Sequence, residues 1–113
     1  MFAIQREVVY ILRKAMDVRH DDKEVERIES DPEYLGGGDQ GRTKACRKVL
    51  NLIRQAKNEV ELYQWKSLRF EKLSGKRQHQ RSLRLNDQWR LIVELEQSES
   101  KTVLVVKGIE DYH

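Results

Sequence analysis

The sequence predicts an α+β domain, with two N-terminal helices packed on one face of a small, mainly antiparallel sheet. Three observations predict it. Apolar residues recur at helical spacing in the first half, most clearly between Gly41 and Lys57. From Ser67 onward the period falls to two. Polar turns, Asn86-Asp87 and Gln97-Ser98-Glu99-Ser100, then divide the second half into a strand meander. Helices followed by a meander bury their apolar stripes on one sheet face and leave the other open. The chain's 113 residues suit one domain, which typically takes roughly 100–150.

Each element has its own signal. In residues 1–15, Ile4, Val8, Ile11, Leu12 and Ala15 mark an amphipathic helix, although Val8 to Leu12 also reads as a strand. Met16 is a candidate internal start, which makes 1–15 an N-terminal extension and 16–113 the domain. Met16 to His20 is a short strand. Asp21 and Glu24, three apart, read as a capping box opening a helix whose narrow apolar face is Val25 and Ile28. That helix stops before Asp31-Pro32, because a residue preceding proline avoids helical angles. Gly36-Gly37-Gly38 is a turn. Ala45, Val49, Leu52, Ile53 and Ala56 form the stripe of the Gly41–Lys57 helix, with Cys46 beside it as a small buried hydrophobe. Residues 58–66 read as a connection whose Val60, Leu62, Tyr63 and Trp65 fold back on the core. Ser82–Leu85 and Gln88–Leu95 form a hairpin, and Lys101–Lys107 forms an inner third strand.

Composition excludes several classes. One cysteine permits neither a disulfide framework nor a cysteine zinc site. No His pair has metal-ligand spacing, so neither a metal nor a cofactor is expected. No apolar run approaches the ~18 residues of a membrane span, and the start lacks a signal-peptide pattern. A cytoplasmic protein without membrane contact is therefore expected. The net charge of +3 hides an asymmetry. Lys66 to Ile92 holds eight basic and two acidic residues, a block of +6, while the remainder holds fourteen against seventeen. Such a block is the footprint of a polyanion partner, or a solvated face.

Parity sharpens this. Trp89, Leu91, Val93 and Leu95 share one strand face, the core side, so Arg90 points to the other. Arg84 likewise lies opposite Leu83 and Leu85. Both arginines belong to the uncovered face, with Ile92 as an apolar exception. His20 reads as a surface residue, and His79, in the basic loop, as a solvated residue or else an RNA contact.

Three segments together resemble the HigB toxins of the RelE/ParE superfamily: Phe70-Glu71-Lys72-Leu73-Ser74-Gly75, Ser82 to Leu91, and the terminal Ile109-Glu110-Asp111-Tyr112-His113. The resemblance implies a RelE-like fold over residues 16–113. It implies a ribosome-dependent endoribonuclease that cuts messenger RNA in the decoding site of the small (30S) subunit. It also implies a helix-turn-helix antitoxin of the HigA type as partner. Asp111, Tyr112 and His113 match the family's active-site tail, and Arg90 and Arg84 match its basic strand residues. Glu71 stands where some members carry a catalytic His, Ser74 where others carry Lys, and Lys76 where Asp is common. The general base is therefore open between His113 and Glu71. Lys72, Lys76, Arg77 and Arg81 supply further positive charge for RNA.

These residue types suit RNA cleavage through the neighbouring 2′-hydroxyl. His titrates near neutrality and can move the protons. Arginines can stabilise the charge that develops on phosphorus-bound oxygens. Tyr112 can stack on a splayed base or orient the phosphate. Two other functions fit the fold: a ParE-like binder that inhibits DNA gyrase, or an RNA- or ribosome-binding module without activity.

Overall fold

A computed structural model describes residues 16–112 of the chain. The proposed 1–15 helix and His113 lie outside the described residues. The elements run β1 (Asp17–His20), α1 (Lys23–Ser30), α2 (Gln40–Gln55), α3 (Glu59–Gln64), β2 (Glu71–Lys72), β3 (Gln80–Arg84), β4 (Trp89–Gln97) and β5 (Thr102–Asp111). Single 3-10 turns at Lys66–Leu68 and Gly75–Arg77 flank β2. The five strands are ordered β1-β5-β4-β3-β2. Only β1 runs parallel to its neighbour β5; the other pairings are antiparallel. The expected α+β class is the one observed, with a third helix, α3, added to the two expected.

Side-chain caps fix where the helices start. Asp22 accepts from the Val25 amide at 3.0 Å, so α1 begins at Lys23. The expected capping box is displaced by one residue: Glu24 instead takes a hydrogen bond from Arg42 of α2 at 2.9 Å. Asp39 caps α2 by accepting from the Arg42 amide at 3.0 Å. Residues 58–66 are not a plain connection. Asn58 caps the short helix α3, from which Leu62 is fully buried while Val60 and Tyr63 stay exposed.

Val25 and Ile28 are the whole buried face of α1, as expected, and are fully covered. Burying each contributes about 1.5–3 kcal/mol, little for holding a two-turn helix. Arginines of α2 complete the attachment. Arg47 donates to the carbonyls of Ile28, Asp31 and Tyr34 at 3.1, 3.2 and 2.8 Å, tying off the end of α1. Arg54 holds Glu29 through two bonds of 2.9 and 2.7 Å. The buried face of α2 is Thr43, Cys46, Val49, Leu50 and Ile53, a stripe rotated from the expected one so that Cys46 sits inside it. Burial pushes the Cys46 thiol up to about 12, which leaves it a hydrophobe rather than a nucleophile.

The sheet supplies Leu83, Leu91, Val93, Leu104 and Val106 to the same core. Trp89 departs from expectation. It is half-buried at the sheet's end, where its indole N–H donates to Asp39 at 3.1 Å and Arg42 stacks over its ring at 5.2 Å. His20 is not a surface residue either. Its side chain is 8% exposed, because Val106 is its register partner, and its Nε2 lies 2.7 Å from Glu29. β5 runs past the expected end at Lys107 to Asp111.

Candidate active site

β3 and β4 place Arg84 and Arg90 directly opposite each other. The expected sharing of one face is therefore also adjacency. Leu83 and Leu91 pair on the core side, so alternation sends both arginines to the uncovered face. Like charges directly opposite each other across strands destabilise a sheet. Asp87 in the turn offsets part of this by bonding Arg84. Arg90 is 9% exposed; among the described residues its Nη1 reaches the Ser82 hydroxyl at 3.5 Å and its buried Nε has no hydrogen-bond partner.

The tail arrives beside Arg90 because β5 carries a bulge. Ile92 pairs with Gly108 but Val93 pairs with Val106, so Lys107 is the extra residue. Strict alternation from Leu104 and Val106 would turn Glu110 and Tyr112 toward the helices. The bulge turns them to the open face instead. Gly108 takes a φ of 150°, which other residues rarely adopt, and a Cβ there would lie 3.2 Å from Asp22 Oδ2. Arg90 then stacks under the Tyr112 ring, 4.3 Å from its centroid, while Tyr112 remains 59% exposed. Gln88 anchors the tail: its carbonyl accepts from the Tyr112 amide at 2.6 Å and its side chain donates to Asp111 at 3.2 Å.

These groups wall a cavity of about 390 Å³, lined in part by Glu71, Ser82, Arg90, Asp111 and Tyr112. Glu71 pairs with Ser82 across β2 and β3 and so stands on the same face, at the rim. Asp111 pairs with Trp89 and approaches from the strand's end. The structure thus gathers Glu71, Arg84, Arg90, Asp111 and Tyr112.

The other expected RNA contacts divide. Arg77 lines the cavity but is bound to Glu110 at 2.7 and 2.9 Å, and that carboxylate raises its pKa further. Lys76 is exposed on the neighbouring turn. Arg81 is not among the residues that line the cavity. It pairs with Val93, so its side chain lies on the helix-covered side, bonded to the carbonyls of Gln78 and Gln80 and 4.0 Å from Glu59. Lys72 pairs with Arg81 and has the same parity. Sequence reading missed Gln88 and Ser82, since neither residue type signals a site without the register.

Among the described residues no cluster of three His, Cys, Asp or Glu could hold a metal, and no helix is long and apolar enough to cross a membrane. No curated protein matches the chain. A solved structure of a YoeB/ParE toxin from Agrobacterium tumefaciens is similar in fold. It is 16% identical with a TM-score of 0.53, covering 87% of this chain and 100% of that one. The model of the HigB-like toxins, described as RelE-like toxins of type II toxin-antitoxin systems, matches residues 19–113. The matched span contains the paired arginines, the bulge and the stacked tail, and the chain belongs to the HigB-like toxin family.

Proposed function

We propose that this type II toxin is a ribosome-dependent endoribonuclease that cuts translated messenger RNA by 2′-hydroxyl attack, with no metal or cofactor taking part. One observation carries the reading: Arg90 stands opposite Arg84 and beneath Tyr112 beside an open cavity. Two guanidiniums placed together cost stability unless an anion joins them, and RNA supplies a phosphate there.

The 2′-oxygen attacks the adjacent phosphorus. The O2′–P bond forms and the P–O5′ bond breaks, leaving a cyclic phosphate and a 5′-hydroxyl. Arg90 and Arg84 take the charge gathering on the phosphorus-bound oxygens. A base removes the 2′ proton and an acid returns one to O5′. His113 and Glu71 are the candidates for these two roles. Glu71 lines the same cavity as Arg90 and Tyr112. Tyr112, exposed at the cavity, stacks on a splayed base, worth about 1–3 kcal/mol per base. Asp111 positions the tail through Gln88.

A type II toxin implies an antitoxin partner. We assign a helix-turn-helix protein of the HigA type to that role, the 30S decoding site to the target, and the cytoplasm as the place of action. Expression of the full chain without antitoxin tests the reading. Growth arrest with transcripts cut inside translated codons is expected. Arrest with intact transcripts and a DNA-damage response would replace it with a gyrase inhibitor. Normal growth and intact transcripts would leave only a binding module.

A further inference from the structure

A second, smaller cavity adjoins the first. It has a volume of about 200 Å³ and is lined by Arg69, Arg84, Asn86, Asp87, Arg90 and Tyr112. Arg90 and Tyr112 are common to both cavities and form the partition between them. The two sides differ in charge. The larger cavity carries three carboxylates, Glu71, Glu110 and Asp111, against two guanidiniums, Arg77 and Arg90. The smaller one gathers three guanidiniums against one carboxylate, Asp87, which is already bonded to Arg84.

Arg69 is the unexpected member. Its backbone is left-handed, with φ 44° and ψ 54°, and it is the one such non-glycine among the described residues. Left-handed backbone suits glycine and strains residues with a Cβ. Its neighbours pin it in place. Leu68 is 2% and Phe70 5% exposed, while Arg69 between them is exposed. The Arg69 amide closes the 3-10 turn on the Lys66 carbonyl at 3.2 Å. A turn selected for shape alone would use glycine. Here a strained residue adds a third cation to a wall that already holds two. Both features oppose folding, and an anion in the smaller cavity offsets the repulsion.

We propose that Arg69, beside the Arg84–Arg90 pair that takes the scissile phosphate, forms a second anion contact, which holds the neighbouring backbone phosphate of the same strand. The inference rests on the nuclease reading for its ligand, a single-stranded RNA backbone. Arg69 is a binding residue here; it takes no part in proton transfer.

The test uses the full chain and an RNA oligonucleotide methylated at every 2′-oxygen, which binds but cannot be cut. Affinity is titrated against salt for wild type, Arg69→Gly, Arg69→Lys and Lys48→Gln. Glycine keeps the left-handed turn without strain, so Arg69→Gly is expected to fold with an unchanged or raised denaturation midpoint. It should lower the slope of log affinity against log salt by about 0.7, the value of one single-strand phosphate contact. The same counterion count makes that about four-fold in affinity at about 0.15 M salt. Arg69→Lys restores most of the slope. Lys48→Gln, an equal charge loss on the exposed side of α2, leaves it unchanged. An Arg69→Gly slope equal to wild type overturns the subsite, as does an equal fall in Lys48→Gln, which would mark diffuse charge. Cleavage of a message on ribosomes by wild type is read separately. If it fails while the Arg69 slope change persists, the nuclease reading falls and the anion subsite stands.

Discussion

On the helix-covered face of the sheet, Leu83, Leu91, Val93, Leu104 and Val106 are fully buried. On the other face the same strands set Arg84 against Arg90, hold Arg90 at 9% exposure, and leave Tyr112 59% exposed. One face is arranged for packing. The other sets like charges side by side and carries an exposed aromatic residue, Tyr112, over Arg90. Local rules are broken where a polyanion would repair them, and kept where only packing is at stake.

The largest effects should come from crossing between these faces. Leu91→Ala removes a fully buried side chain and should destabilise the fold by about 2–5 kcal/mol, read as a lowered denaturation midpoint. Its neighbour Arg90→Ala should do the reverse: a loss of roughly 10²–10³ in cleavage rate, with the midpoint shifted by only a few degrees. If Arg90→Ala unfolds the protein instead, the division between a packing face and a reactive face is wrong.

Gly108→Val sharpens the comparison at the point where the faces exchange. The bulge there decides that Tyr112 joins Arg90. A β-branched side chain at φ 150° beside Asp22 should cost about 1–3 kcal/mol. Activity should fall further than stability, because the tail loses its phase. Retained cleavage at wild-type rate would show that the bulge does not set the site.

The smallest expected effect lies wholly on the helix side. Arg54, and after it His20, holds the Glu29 carboxyl down to about 2 from the ordinary 4.5. The folded value is depressed, so this stabilisation is complete above about 4.5 and fades as pH falls toward 2. After solvent screening it amounts to about 1 kcal/mol. Glu29→Gln should therefore be less stable than wild type near neutrality, and the gap should close in acid. Parallel acid-unfolding curves for the two proteins would refute the coupling.

The legible part of the molecule is the part governed by periodicity. The α1 face of Val25 and Ile28, the stop at Asp31 and the parity of β4 all follow from residue order. Parity of β4 was enough to send Arg90 away from Leu91. Ile92, the exception on that face, is 4% exposed along with Val105 at 2%. Beside them run the Arg19–Glu96 and Gln80–Glu94 pairs, whose long stems cover apolar surface. The illegible part depends on register across chain-distant strands. Alternation alone puts Tyr112 on the wrong face, and Gly108 is the single local sign of the bulge. Arg81 joins the basic block in sequence but faces Glu59 in space. His20 looks exposed until β1 is placed beside β5.

The most direct test is cleavage of a defined message on purified ribosomes, with the ends of the products identified. Wild type should cut within translated codons and leave 5′-hydroxyl ends, and Arg90→Ala should leave the message whole. Intact message with wild type, or products bearing 5′-phosphates, would contradict the account of the open face as a 2′-hydroxyl cleavage site.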